Sequence, residues 1–374
     1  MKDKKQNKRI NGGHRLLFFC ILCLFGLYVA VSYAEEQPQR EQSKAKVILL
    51  HTDNLTYDQY RHPGAQILTG NVQFQHDGVL MYCDSACFYE ATNSFDAFGH
   101  VKMVQGDTLD LVGDMLLYNG LDQLARVRHN VVLTHRESKL YTDSLDYDRL
   151  YELGYFFEGG KLVDKDNVLT SDWGQYSPPT RQAVFNYNVK LENPKFTLIS
   201  DTLNYNTLTS MAEIVGPSNI DSGDNHIYSE SGFYNTQTEE AILLDRSIVT
   251  NKGRKMVGDS LYYDSKSGVG EGFRNVVYTD EVNKNMLTGN YCYYNDSTGY
   301  SMATDSAVAI DYSQRDTMYM HADTFKVYTF YMDTDSMYRE VRGYHKVRSY
   351  RMDVQSVCDS LVFDSRDTCV TMYR

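Results

Sequence analysis

A repeat with a period of about 29 residues runs through most of this chain and limits the folds that it can adopt. Each copy begins with an acid or Asn and has an apolar or small residue two positions later, as in Asp143-Ser-Leu145-Asp-Tyr147. An aromatic residue follows four positions after the first residue in all but the most divergent copies. From Asp114 to Asp259, five consecutive spacings are of 29 residues. Such a recurrence is typical of proteins in which each unit packs against its neighbours. Copies begin at Asp53, Asp84, Asp114, Asp143, Asp172, Asp201, Glu230 and Asp259, with looser copies at Asn290, Asp323 and Asp359.

A second pattern lies between these copies: a polar or small residue, often Asn, followed by alternating apolar positions, as in Gly70-Asn71-Val72-Gln-Phe74. We therefore expect each unit to hold two short strands joined by polar turns, with the leading acid at a turn where a strand begins. Because side chains alternate along a strand, stacked units predict two sheets, with a Leu/Tyr ladder on one inner face and a Val/aliphatic ladder on the other. The tyrosines expected in one inner row are Tyr118, Tyr147, Tyr176, Tyr205, Tyr234 and Tyr263, and the polar residues expected to point outward include Ser144, Asp146, Thr202 and Asn204.

The first 34 residues have the features of an export signal. Six basic residues precede an apolar run over 16–31, which is short for a membrane-spanning helix, and Ser32-Tyr33-Ala34 fits a signal-peptidase site. We predict cleavage after Ala34, with an uncleaved N-terminal anchor as the alternative. The expected organisation is a signal peptide over 1–34, a linker over 35–45 and a repeat domain over 46–374, in which Pro178-Pro179 is the one candidate seam.

The charge of the chain excludes nucleic acid as a partner. The full chain has a net charge of −12, and removal of the signal peptide leaves 31 basic and 48 acidic residues, a net charge of −17. Binding to phosphates requires clusters of Lys and Arg. The best basic cluster comprises Arg339, Arg342, Lys346, Arg348 and Arg351, which we interpret as a solvated strand face, with lipid phosphates as the alternative partner.

Neither a catalytic motif nor a metal-binding motif is present in the sequence. The repeated acids occur once per unit, whereas a catalytic carboxylate pair should occur once, and the Gly-rich nonapeptides of calcium-binding β-rolls are absent. Cys83 and Cys87 are too far apart on a strand to form a disulfide, and we interpret them as small buried apolar residues. Pairing of Cys358 with Cys369 stays open. We predict a protein that is not an enzyme and that has no cofactor and no metal.

Strands of the form Gly-Asp-Ser-Leu-x-Tyr, alternating with Gly-Asn-Val strands behind a signal peptide, resemble the OstA-like, or LptA-like, proteins of lipopolysaccharide transport. The clearest matches begin at Gly258-Asp259 and Gly70-Asn71, and the resemblance covers roughly residues 46–363. It implies an elongated, open β-jellyroll, two-sheeted and taco-like, in the periplasm. Its partners would be lipopolysaccharide, through lipid A, and related jellyroll proteins at the inner and outer membranes, joined edge to edge; homo-oligomers are also consistent with the family.

The resemblance also implies that lipid A acyl chains are shielded in a groove between the sheets, on a path toward the outer membrane. The inner apolar residues of the repeat are the candidates for lining it. They are Val72, Phe74, Val101, Met103, Leu116, Tyr118, Val131, Leu133, Leu145, Tyr147, Leu203, Tyr205, Leu261 and Tyr263.

Two other functions are compatible with a β-repeat. A surface adhesin or structural β-solenoid would have a filled, dry core in place of an open groove. A β-helical polysaccharide lyase or hydrolase would have three strands per coil of some twenty residues, which the longer two-strand unit argues against.

Overall fold

The computed structural model describes residues 45–295, 297–332, 334–367 and 369–374. Apart from one turn of 3₁₀ helix at Glu90–Thr92, every regular element in this part of the chain is a β-strand. The predicted all-β fold is therefore confirmed. The expected signal peptide, its cleavage site and residues 35–44 of the expected linker lie outside the described residues.

The strands form a continuous antiparallel meander in which consecutive long strands pair. The first strands are β1 Ile48–His51, β2 Asn54–Tyr57, β3 Gln66–His76, β4 Val79–Tyr89, β5 Ser94–Gln105, β6 Leu109–Asn119, β7 Leu124–His135, β8 Ser138–Asp148, β9 Leu153–Phe156, β10 Gly160–Asp164, β11 Asn167–Ser171, β12 Trp173–Ser177, β13 Gln182–Asn193 and β14 Phe196–Asn206. The remaining strands are β15 Met211–Ser222, β16 Asn225–Asn235, β17 Glu240–Leu244, β18 Ile248–Asn251, β19 Arg254–Val257, β20 Ser260–Asp264, β21 Val269–Asp280, β22 Asn285–Asn295, β23 Tyr300–Asp311, β24 Met318–Phe330, β25 Tyr338–Tyr350, β26 Gln355–Asp364 and β27 Cys369–Tyr373.

The long strands bend near their middle, where the pairing register shifts. Between β5 and β6, for example, the pairing jumps from Phe98 opposite Met115 to Val101 opposite Gly113. Residues at the bend adopt a left-handed backbone, as His100 does with a φ of 42°, and such bulges turn the strand. Some strands are interrupted at the bend, so that β9 and β10 pair with the two halves of β8. Each unit therefore holds two long, bent strands, and the prediction of two short strands is wrong.

The bends divide the meander into two facing sheets. Sheet A contains the half-strands with the Leu/Tyr pattern, such as residues 115–119, and sheet B contains the other halves, such as residues 109–113. Phe74 of sheet B stacks on Phe95 of sheet A, with ring centroids 4.1 Å apart. The bend joins the sheets along one side, and the hairpin turns of both sheets line the opposite side, which we call the mouth. The predicted two-sheet architecture is confirmed.

The acid that begins a repeat lies at the bend and not at a hairpin turn, which corrects the expected position. Asp114 Oδ2 accepts a hydrogen bond of 2.6 Å from Asn130 Nδ2, and Asn130 is a left-handed residue of the next strand's bend. On a regular strand, residues two apart lie on the same face, so Asp114 would be buried like Leu116. The bend interrupts this alternation, and Asp114 is exposed. The acids therefore join adjacent bends, which explains their recurrence. The same contact joins Asp53 to Asn71, Asp84 to His100, Asp172 to Asn188 and Asp259 to Asn275.

The tyrosines of the repeat lie in one row on the inner face of sheet A, the arrangement that strand alternation predicts. Each lies opposite small residues on its neighbours, as Tyr147 lies opposite Ala125 and Gly154. The small residues leave room for the rings: a Cβ atom at Gly270 would lie 1.9 Å from the Tyr294 ring. The row contains Tyr118, Tyr147, Tyr176, Tyr205, Tyr234 and Tyr263, in alternation with Ala125, Gly154, Ala183, Ala212 and Ala241.

Two apolar clusters lie between the sheets. The larger one extends from Val47 to Leu261 and draws on both sheets, and the smaller one lies between Val276 and Leu361. Pro178, part of the expected seam, follows β12 in the turn to β13, and these two strands pair directly. The sheet and the larger cluster are therefore continuous across this point.

Candidate functional site

We call residues 45–261, which contain the larger apolar cluster, the closed section, because polar side chains cross the mouth over most of its length. Three inner tyrosines of this section, Tyr118, Tyr176 and Tyr205, hydrogen-bond through their hydroxyl groups to polar side chains from the ends of sheet B strands, whereas the buried Tyr147 hydroxyl has no partner among the described residues. His76 Nδ1 lies 2.7 Å from Tyr118 Oη, and His135 Nδ1 lies 2.8 Å from Tyr176 Oη. Each of these hydrogen bonds joins sheet A to sheet B inside the protein.

Further bridges follow along the closed section. Tyr205 Oη donates a hydrogen bond of 2.8 Å to Asp164 Oδ2 and accepts one of 3.0 Å from Asn167 Nδ2. These buried partners compensate the cost of enclosing polar groups, which would otherwise be several kcal/mol per group (roughly 2–7). Bridges nearer the surface join Gln123 to Asp77, Gln105 to Glu152, Lys165 to Ser210 and Lys195 to Glu239.

Burial sets the protonation of the His–Tyr bridges. It lowers the pKa of both His76 and His135, and it raises the pKa of both Tyr118 and Tyr176. The imidazoles are therefore neutral and the phenols protonated near neutral pH. Two charged groups flank the first bridge: Arg149 also donates to Tyr118 Oη, and the Asp77 carboxylate lies 3.7 Å from His76 Nε2.

The bridging histidines were missed by sequence reasoning, although they share a position in the repeat. His76 lies four residues after Val72, and His135 lies four residues after Val131. A side chain four residues after the valine lies on the inner face and next to the mouth. A polar group there, such as the imidazole of His76 or His135, can therefore reach the opposite sheet. A polar residue at the end of an inner apolar ladder is therefore the signal for a bridge.

Beyond Leu261 the inner face changes, and we call residues 262–374 the open section. Side chains near the bend are buried there, including Val276, Cys292 and Phe325. Side chains near the mouth are only half-buried, although they point toward the opposite sheet. The half-buried residues, which define the open groove, are Tyr263, Tyr278, Leu287, Tyr294, Ala309, Met320, Val327, Val341 and Phe363.

The fourteen residues predicted to line a groove lie mostly outside this open groove. Thirteen of them, all except Tyr263, are at most 2% exposed and belong to the larger apolar cluster. Tyr263 is half-buried at the start of the open section, and its ring stacks on Tyr294 with centroids 6.4 Å apart. The open groove instead begins in the repeat of Asp259 and continues through the looser repeats that begin at Asn290, Asp323 and Asp359.

The described part of the chain shows no arrangement suited to metal chemistry or thiol chemistry. It contains no group of three or more His, Cys, Asp or Glu residues placed to hold a metal ion. Cys83, Cys87 and Cys292 are buried free thiols, and burial raises the pKa of Cys83 to about 12. Cys358 and Cys369 are also free.

A membrane-crossing helix would need about 20 apolar residues. No helix in residues 45–295, 297–332, 334–367 or 369–374 is long and apolar enough for that purpose.

A family model described as OstA-like protein matches this chain over residues 44–201 and 197–259, which together make up more than half of its length. The chain belongs to the OstA-like protein family. The resemblance seen in the repeats is thus confirmed. In this OstA-like protein the matched residues coincide with the closed section, and the open groove lies beyond them.

Other comparisons add little to this assignment. A search of curated proteins gave no match. Among solved structures, this OstA-like protein is similar to LptH of Pseudomonas aeruginosa, described as the LptA-homologous periplasmic component of the lipopolysaccharide transport device. The match has 18% identity and a TM-score of 0.27, and it covers 32% of this chain and 82% of LptH. A likeness this low carries no argument about function.

Proposed function

We propose that this OstA-like protein is an exported, periplasmic, non-enzymatic carrier of lipopolysaccharide that shields lipid A acyl chains between its two sheets. Family membership supports the transport role. The open groove is the observation that supports shielding, because apolar and aromatic side chains face each other there without being fully covered. Such surfaces are rarely left uncovered in a soluble protein unless they bind something.

The size of the hydrophobic effect is sufficient for this role. Burial of a methylene group contributes about 0.8 kcal/mol, so a 14-carbon chain would gain on the order of 10 kcal/mol. Aliphatic side chains such as Leu287, Met320 and Val341 can supply that contact without any polar recognition of the chain. Binding then needs neither a cofactor nor a catalytic group.

The closed section has a different role in the proposal. Its inner residues, such as Leu145 and Val131, line the same inter-sheet space, but they already contact each other in a filled core. Acyl chains would reach them only if the sheets separated and the bridges at the mouth broke. We therefore place lipid in the open groove first, with the thirteen buried candidates as contacts of a separated state.

A structural or adhesive role is the second candidate function, and the filled core between Val47 and Leu261 favours it. It predicts no bound lipid. The position of lipid contacts therefore separates the two functions.

Photo-crosslinking from the two faces of one strand tests the carrier function. Met320 is half-buried in the open groove, whereas the adjacent Tyr319 is 47% exposed on the outer face. With a photoreactive amino acid at either position, we expect lipopolysaccharide labelling to be at least ten-fold stronger from position 320. Equal labelling from both positions, or none with the fold intact, would favour the structural role.

We further propose that the protein joins related jellyrolls, or copies of itself, through its sheet edges. Among the described strands β1 pairs with β3 alone, and its side chains Ile48 and Leu50 are 54% and 48% exposed. Unpaired backbone groups beside apolar side chains favour strand addition. At the other end, β27 pairs with β26 among the described strands, and its Val370 and Met372 are also exposed.

Lysines on the first edge should prevent this association. Ile48→Lys combined with Leu50→Lys leaves the core untouched, because both side chains point away from it, but places two charges on the edge. We expect loss of partner binding or self-association in analytical ultracentrifugation, with unchanged thermal unfolding. The matched control is Ile199→Lys, at a 51% exposed site within an interior strand. Equal loss in the control would contradict the edge as the contact.

A further inference from the structure

The outer face of sheet A carries a group of aromatic side chains in the open section. The Phe273 and Tyr291 rings lie 5.3 Å apart, and the Tyr300 ring lies 5.9 Å from Tyr293 and 5.3 Å from Tyr328. These side chains are exposed or half-buried. We call the whole group the aromatic platform: Tyr262, Phe273, Tyr291, Tyr293, Tyr300, Tyr328 and Tyr344.

The sheet itself does not require aromatic residues at these positions. In the closed section the corresponding outward positions hold Leu117 and Arg126 on β6 and β7, and Asn204 and Glu213 on β14 and β15. Those strands pair equally well with mixed or polar outer faces. The concentration of rings in one part of the same face therefore points to a role in binding.

Two cations stand directly opposite each other within the platform. Lys326 pairs in register with Arg342, and like charges at such positions repel. The Arg342 guanidinium lies 5.0 Å from the Tyr328 ring centre and forms an ion pair with Glu340. Lys326 Nζ lies 5.5 Å from the Tyr344 ring centre and forms no ion pair with a described residue. An anionic ligand group would relieve this repulsion.

We infer that the aromatic platform binds an anionic oligosaccharide. The apolar faces of sugar rings can stack on the tyrosine rings, and phenol groups such as that of Tyr293 can hydrogen-bond to sugar hydroxyls. The Tyr291 and Tyr262 hydroxyls already donate to Glu271 and Glu240 and would contribute their rings. A phosphate or carboxylate on the sugar would lie at Lys326, which has no ion-pair partner among the described residues in a chain with a net charge of −12. The ring separations are comparable with the length of one sugar unit, so that successive sugars can lie on successive strands.

This inference does not depend on lipid carriage, because the platform and the open groove lie on opposite faces of sheet A. The sugar part of lipopolysaccharide and a free acidic polysaccharide share the required chemistry. The test therefore uses three probes: lipid-free oligosaccharide released from lipopolysaccharide by mild acid, polygalacturonate, and neutral dextran.

Calorimetric titration of the full exported chain tests the inference. We expect at least one of the two anionic probes to bind and dextran to bind at least ten-fold more weakly. Preference for the released oligosaccharide identifies lipopolysaccharide as the source, and preference for polygalacturonate identifies free acidic polysaccharide. Failure of both anionic probes, or equal binding of dextran, would overturn the inference.

Variants locate the binding on the platform. Lys326→Gln should weaken anionic binding at least ten-fold, Lys326→Arg should retain it, and Tyr293→Ala with Tyr328→Ala should abolish it. The matched control is Tyr141→Ala, at an exposed tyrosine on the outer face of sheet B. Melting curves check the fold, and lipid labelling from position 320 should persist in the Lys326→Gln variant. Binding unchanged by both the lysine and the tyrosine substitutions would place the sugar elsewhere.

Discussion

Leu145→Asp is expected to unfold the closed section. The Leu145 side chain is completely buried in the larger apolar cluster, opposite Val127 and Phe156. The substitution removes a buried leucine, which costs about 2–5 kcal/mol, and also encloses a carboxylate without a partner. We expect the free energy of unfolding to fall by more than about 4 kcal/mol in chemical denaturation.

The control for this experiment lies on the same strand. Lys139 is exposed on the outer face of β8, and Lys139→Asp should change the free energy of unfolding by less than about 0.5 kcal/mol. Ser144 cannot serve as the control, because it is buried and donates a hydrogen bond to Glu158. Similar losses for Leu145→Asp and Lys139→Asp would contradict a filled closed section.

Met320→Asp is expected to abolish lipid binding while the protein stays folded. Because Met320 is half-buried near the mouth, the new carboxylate can keep contact with water in the free protein. A bound acyl chain would exclude that water and leave a charge against hydrocarbon, which costs several kcal/mol. We expect lipopolysaccharide affinity to fall at least 100-fold, or about 2.7 kcal/mol, measured by co-purified lipid and direct titration.

The neighbouring position is the control for the groove. Tyr319→Asp places the same charge on the outer face of the same strand, and lipid affinity should change less than three-fold. Normal lipid binding by Met320→Asp would show that acyl chains do not lie in the open groove. If the wild-type protein binds no lipid, the structural role is the better explanation of the fold.

The two sections differ in what crosses the mouth. In the closed section, phenols and neutral imidazoles satisfy each other across it, as at His135 and Tyr176, and the core behind them is filled. In the open section the buried side chains lie near the bend and include small residues such as Ala303 and Ala322.

The β-strand content, the repeat and the inner positions could be predicted from the sequence. Local alternation decides which side of a strand faces inward, so Leu116, Tyr118 and Leu203 could be placed in the core from spacing alone. The family could also be recognised from the repeats. These properties depend on neighbours within a few residues, and they need no knowledge of the opposite sheet.

The positions of the bends and of the open groove follow from contacts between the two sheets, which local sequence patterns do not contain. The acid at Asp114 was recognisable in the repeat, but its partner Asn130 belongs to another strand's bend. The exposure of Met320 and the burial of Leu145 depend on how well the facing sheet covers each of them. The side chains that cover a given residue come from the facing sheet and are far away in the sequence. The same apolar pattern can therefore form a filled core in one section and an open groove in the next.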